Sequence, residues 1–396
     1  MGFSLKNLLS RKLGGIFGGL LQTIKPAAKT SPVADRLLVD AIRMAELPSP
    51  QPREEPRAAF VLERLKSLGL SPAVNDSGSI TARLHCEKSR DEAPILLFTD
   101  LGTNRWHPSE SFARLDAENA TGAGLSGSLG SAALLSIAEN FYGNIEKSIN
   151  RDILLLFNAG PLDAPNNNFR PILDAPENRP FAAIGVKGFS LDKIIHSVGC
   201  YRVKIEVTGK EGRLSCEVNS NKVTETLIDT ARTLLGIAWD TEGKTKMFIR
   251  RLEALTVYGL TPEEGEIELE IESSEAAHLE MAMNAVIATT NKVGEKANIK
   301  AETKLLSFIP PGKPEKSKGL FEIYRRLCKE QRLKIQEENG ADPAAFFSAE
   351  GIPALSMGMA LGREKKEKDV ISIDSLEKGC LILQRFITEI GTHYGD

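Results

Sequence analysis

Two kinds of apolar pattern divide this chain. The runs ILLFT (95–99) and ILLLF (153–157) are continuously apolar, as expected of strands buried on both faces of a sheet, and another strand is expected at about 182–186. Between the first two, the spacing predicts a helix over 128–141. Upstream it predicts a helix over 31–44, with Ser31 and Pro32 near its start, and another over 57–68 after the break LPSPQPREEP. The strand SITARLHC (79–86) follows. Strand and helix alternating in this way predict a three-layer α/β/α sandwich. Near Gly199 the pattern changes. YRVKIEV (201–207) and EIELEIE (266–272) alternate polar and apolar residues, which predicts antiparallel strands with one wet face. With helices over 221–236 and 275–294 they form an inserted α+β module. FIPPGKPEKSKG (308–319) reads as a linker back. A helix over 320–334, the strand PALSMG (353–358) and a helix over 374–390 complete the first domain. The expected organisation is therefore a terminal segment (1–30), a discontinuous domain (31–199 and 307–396) and an insertion (200–306).

A length of 396 residues suits two domains. A net charge of −3 leaves no electrostatic footprint for nucleic acid. The five cysteines are scattered and never form a Cys-x-x-Cys pair; that usage suits a reducing compartment, and a cytoplasmic location is expected. Five histidines without a His-x-x-x-His spacing exclude a zinc-finger or zincin-type site. The first thirty residues carry Lys6, Arg11, Lys12, Lys25 and Lys29 among apolar residues and no acid. They read first as a terminal helix packed on the body. Weak contact with an anionic membrane surface is the sharper alternative.

Several local motifs occur in order along the chain. They are Leu96–Thr103, then Trp106 with Pro108 and Phe112, the turn GAGLSG (122–127), and GKEGR (209–213). GADPAAFFSAEGIPALSMG (340–358) and VISIDSLEKG (370–379) follow. In order and spacing these resemble the zinc exopeptidase and deacylase family that includes tripeptide aminopeptidase, acetylornithine deacetylase and glutamate carboxypeptidase. The resemblance implies a discontinuous catalytic-type domain, an inserted lid or dimerisation domain, and a homodimer formed through that lid. It also implies a dinuclear zinc site, and there the sequence departs from the pattern. Asp100 and Gly102 stand where the family has His-x-Asp, and Gly127 stands where the bridging Asp would be. Gly160 and Pro161 fall at the Glu-Glu pair, Lys187 near a further acidic ligand, and Lys365 near the final His. Two zinc ions need carboxylates and imidazoles around them, and a lysine adds repulsion. No glutamate remains at the position of the general base. At the lid position where relatives can carry a His that reaches the neighbouring subunit, this chain has Arg213.

Competing readings are weaker. Gly122, Gly124 and Gly127 satisfy Gly-x-Gly-x-x-Gly, but the preceding SFARLDAENA is not a buried strand, so a dinucleotide site is not expected. His107 sits in a Trp106-His107-Pro108 loop and more simply packs locally. Ser126 and Ser128 lack the strand-elbow context of a serine hydrolase. The expectation is a metallopeptidase-like protein without its metal site or any cofactor, acting in binding or assembly. Its cleft residues would be Trp106, His107, Ser126, Ser128, Arg213 and Asp342, and its ligand a small peptide or other carboxylate. The alternative is an active zinc-dependent exopeptidase or deacylase with non-standard ligands.

Overall fold

The computed structural model describes residues 31–50, 53–89, 93–102, 112–142, 149–160, 169–209, 221–239, 244–254, 261–365 and 368–393. The terminal segment 1–30 and the candidates Trp106, His107, Pro161 and Arg213 therefore lie outside the described residues. In chain order the elements are α1 (Pro32–Ala45), α2 (Glu55–Ser67), β1 (Ala73–Val74), β2 (Ile80–Leu84), β3 (Ile95–Asp100), β4 (Arg114–Leu115), β5 (Asn119–Gly122), α3 (Ser126–Phe141) and β6 (Ile153–Asn158). Next come α4 (Phe169–Asp174), β7 (Ala182–Lys187), β8 (Lys193–Ser197), β9 (Gly199–Thr208), α5 (Lys222–Leu235), β10 (Thr245–Glu253), β11 (Glu264–Ser273), α6 (Ala276–Ala297) and β12 (Lys300–Ile309). Then follow α7 (Lys318–Glu330), β13 (Gln336–Gly340), α8 (Ala345–Ala349), β14 (Ala354–Gly358), β15 (Gly362–Glu364), β16 (Asp369–Ser372) and α9 (Ile373–His393).

The main sheet runs β1-β2-β6-β3-β7-β14, with β6, β3, β7 and β14 parallel and β2 antiparallel at one side. Side chains alternate across it. Ile95, Leu97, Ile153, Leu155 and Ile184 face a core built with α1, α3 and α9. Leu96, Phe98, Leu154, Leu156 and Ala183 face a smaller core with Phe169 and Phe347. This arrangement is the three-layer sandwich read from the continuous apolar runs. α1 starts where expected: the Ser31 side chain accepts from the Ala34 amide at 3.3 Å, supplying the N-cap.

The insertion is a four-stranded antiparallel sheet in the order β10-β11-β9-β12, with α5 and α6 on one face. Its other face carries the charged residues of the alternating strands. Two of its strands, β10 and β12, were not foreseen, because edge strands carry weak apolar alternation. The stretch read as a linker begins inside β12, which ends at Ile309, and contains a 3₁₀ turn at Pro314–Ser317. Among the described residues no helix is long and apolar enough to cross a membrane.

Candidate functional site

Helix α3 begins against the carboxyl ends of β3 and β7, and small residues make that contact tight. A side chain at Gly130 would overlap the Thr99 hydroxyl and the Val186 carbonyl, and one at Gly188 would overlap the Ser126 backbone. Carboxyl ends of parallel strands are the usual place for ligands in open α/β sheets. A cleft of about 370 Å³ opens here. Its floor and walls include Thr99, Asp100, Gly102, Ser126, Gly127 and Lys187, and the inserted module closes over it with Arg202 and Ile309.

Lys187, the last residue of β7, provides the cation of the larger domain. Its ammonium lies 2.7 Å from Asp342 Oδ2. Asp342 is only 2 % exposed and is held in turn by the Ser356 hydroxyl at 2.6 Å and the Ala344 amide at 2.8 Å. Burial would make a lone carboxylate costly, and three donors offset that cost. Asp342 therefore anchors Lys187 and does not itself face the cleft; Ala341 and Pro343 on either side of it do. From the other domain comes Arg202, on the charged face of β9, 3.5 Å from Glu270.

The start of α3 differs from expectation. Asp369 Oδ2 accepts both the Ser126 amide and the Ser126 hydroxyl at 2.9 Å. The helix start at Ser126 and Ser128, expected to line the cleft for a carboxylate ligand, is thus met by the chain's own carboxylate, the favoured charge at a helix start. Ser128 is fully buried and donates to the Gly124 carbonyl at 2.7 Å, so it is not a cleft residue. Gly160 and Lys365 are also absent from the described lining. Gly160 adopts a left-handed φ of 78° and donates its amide to the buried Glu54 at 2.9 Å. Lys365 closes the turn between β15 and β16 through its amide and the Lys368 carbonyl.

Behind the cleft wall lies Arg57, fully buried on α2. It donates to the carbonyls of Met44 at 3.0 Å, Leu101 at 3.1 Å and Gly127 at 3.5 Å. Burial lowers the pKa of its guanidinium from the ordinary value to about 10. Thus the structure brings Asp100, Gly102, Ser126, Gly127 and Lys187 together and leaves Ser128, Gly160, Lys365 and Asp342 outside the lining. Arg202, Arg57 and Asp369 were not singled out from sequence. Arg202 was legible only as an outward-facing residue of an alternating strand.

Among the described lining residues Asp100 is the one carboxylate, and none is histidine, cysteine or glutamate. Among all described residues, no group of three or more such side chains is placed to hold a metal ion. A dinuclear zinc centre needs several anionic and imidazole ligands, and the described lining, with one lysine and one aspartate on this side of the cleft, does not fit it.

An α/β/α sandwich interrupted by a four-stranded module, with its cleft at the sheet's carboxyl edge, is the architecture of two-domain metallopeptidases and amidohydrolases. Solved structures agree. Aminopeptidase PepT from Bacillus cereus is 14 % identical, with 90 % of this chain and 98 % of that chain covered and a TM-score of 0.66. The YXEP protein of Bacillus subtilis, described as a dinuclear metal-binding peptidase from the M20 family, is 14 % identical over 91 % and 98 %, with a TM-score of 0.60. An aminobenzoyl-glutamate utilization protein from Klebsiella pneumoniae is 12 % identical over 100 % of both chains, with a TM-score of 0.63. The chain thus has the fold of the peptidases and amidohydrolases that its motifs resemble. No family model matches the sequence, and comparison with curated proteins finds no match.

Proposed function

We propose that this chain is a metallopeptidase-like protein that has lost its dinuclear zinc site and uses the cleft to bind a small carboxylate-bearing ligand, such as a peptide or acylated amino acid. One observation carries the reading. Lys187, where the resemblance calls for an acidic ligand, fills the cleft floor with an ammonium held by buried Asp342. Metal cations and a fixed ammonium compete for the same place by simple repulsion, while a ligand carboxylate is attracted to it. Arg202 offers a second cation from the inserted module. Without a base beside a metal-bound water, hydrolysis has no evident route. The neighbours' names supply the ligand class only by likeness of fold. We further propose that the chain acts as a homodimer through the inserted module, in a binding or assembly role.

The purified protein should hold no stoichiometric zinc, manganese or cobalt, and added zinc should not raise its melting temperature. A panel of small peptides and acylated amino acids should produce thermal shifts without hydrolysis, and Lys187→Met should abolish those shifts. One or more tightly bound metal ions per chain together with peptide hydrolysis would instead establish an active metallopeptidase.

A further inference from the structure

Residues 1–30 lie outside the described residues, but the point at which they join the body is fixed. Ser31 donates its backbone amide to both carboxylate oxygens of Glu377, at 3.1 Å each, and its side chain caps α1. The preceding chain therefore leaves the larger domain beside the start of α9. That domain offers little for apolar side chains to pack on. Among its described residues the large apolar side chains left exposed are Val74, Phe112, Tyr142 and Leu381. They come from β1, the approach to β4, the end of α3 and the outer face of α9. A helix docked on the body would need a contiguous apolar bed, and four scattered residues do not make one.

The segment itself has much to bury. Leu5, Leu9, Leu13, Ile16, Leu20 and Ile24 recur at spacings of three and four, with Phe17 and Leu21 beside them. A helix drawn through these positions has one continuous apolar face. Arg11, Gly14, Gly15, Gly18 and Lys25 fall on the opposite side. Lys6 alone among the charges falls within the apolar arc, in the first turns, where a long side chain can bend out to the headgroups. No acid occurs before Asp35. Cations beside an apolar face, with no carboxylate among them, suit a surface of anionic lipid. The apolar runs are too short to cross a bilayer, so such a helix lies in the plane of the surface. The glycines weaken it in water, and burial of its apolar face at the interface is what would offset them.

We propose that residues 5–24 bind in the plane of an anionic lipid surface and tether the protein there through the junction of Ser31 with Glu377. Charge divides the chain to match. Five cations lie in the segment while the whole chain carries −3, so the acidic part is the body, which an anionic surface repels. Attachment then falls to the segment, and the body stands off from the lipid.

The test uses the full-length chain and sedimentation with lipid vesicles. The parent should sediment with vesicles of phosphatidylcholine containing about one third phosphatidylglycerol, and at least about tenfold less with phosphatidylcholine alone. Lys6→Glu, Arg11→Glu and Lys12→Glu together should weaken binding to the mixed vesicles about a hundredfold. Leu13→Asp with Ile16→Asp should abolish it by placing charge on the buried face. Without lipid, both variants should melt at the parent's temperature. A parent that ignores the mixed vesicles, binds both kinds equally, or binds no better than its variants would overturn the proposal. So would a lower melting temperature of the Leu13→Asp, Ile16→Asp protein without lipid, which would show the segment packed on the body instead.

Discussion

Arg57 has the full burial of a core residue and the charge of a surface one. Among the described residues its guanidinium meets three backbone carbonyls and no carboxylate, and one terminal nitrogen has no hydrogen-bond partner. Two of those carbonyls, at Leu101 and Gly127, belong to the backbone that shapes the cleft. Arg57→Met, which keeps most of the volume but strands the carbonyls, should destabilise the protein by about 2 kcal/mol in urea unfolding. A change under half that size would mean that water or backbone shifts take the donor's place. Nothing in EEPRAAF signals this role, since arginine on an amphipathic helix is assigned to the wet face by its type. Lys187 was legible because the motif order fixes the end of its strand. Its anchor, Asp342, was singled out as a ligand contact, because sequence does not say which way a side chain turns.

β8 and β13 show what a pattern of apolar positions misses among whole elements. KIIHS and QEENG form a two-stranded parallel ribbon, yet β13 has no apolar residue and reads as a polar loop. The central strands were found because burial on both faces leaves a continuous apolar record. Outer strands such as β10 and β12 escaped notice because solvent on one side permits charges. The ribbon is tied to α7 by charge. Glu337 accepts from Arg325 at 2.7 Å and lies 2.8 Å from His196 Nε2, and these partners, Arg325 foremost, hold its carboxyl down at about 2. With the folded value below the ordinary one, its contribution is complete above about pH 4.5 and is lost as pH falls through 2. The protection factors of the β8 and β13 amides, their exchange referred to the intrinsic rate at each pH, should therefore fall between pH 4.5 and 2, and Glu337→Gln should show the lower protection already at pH 6. Equal exchange in parent and variant at pH 6 would remove the tie.

Across the whole molecule, an aromatic chain joins the two domains. Tyr201 stacks on Phe308 at 4.9 Å, Phe308 meets Phe346 at 6.2 Å, Phe346 meets Phe169 at 5.5 Å, and Phe169 meets Phe98 at 5.0 Å on the cleft floor. The root of the inserted module is thus packed into the smaller core of the sandwich. Phe346→Ala should cost about 2 kcal/mol, below the usual range because Phe346 is only half-buried. It should also split one calorimetric transition into two, the inserted module melting apart from the sandwich. A single transition at lower temperature would show that the domains remain one cooperative unit without it. The insertion itself was readable from the change of pattern at Gly199. The convergence of Arg202 and Lys187 on one cleft was not, because it depends on how the two domains lean together.

The bond between Lys187 and Asp342 also bears on supply. A cation borrowed from solution is present only while the surroundings provide it, and chelators or competing ions can strip or replace it. An ammonium carried on the chain arrives with translation, in the same amount as the protein, and takes its station when Asp342 is buried. On the proposed reading, the ammonium at the cleft floor is in that sense inherited rather than acquired, and it stays in place through metal starvation and metal excess alike.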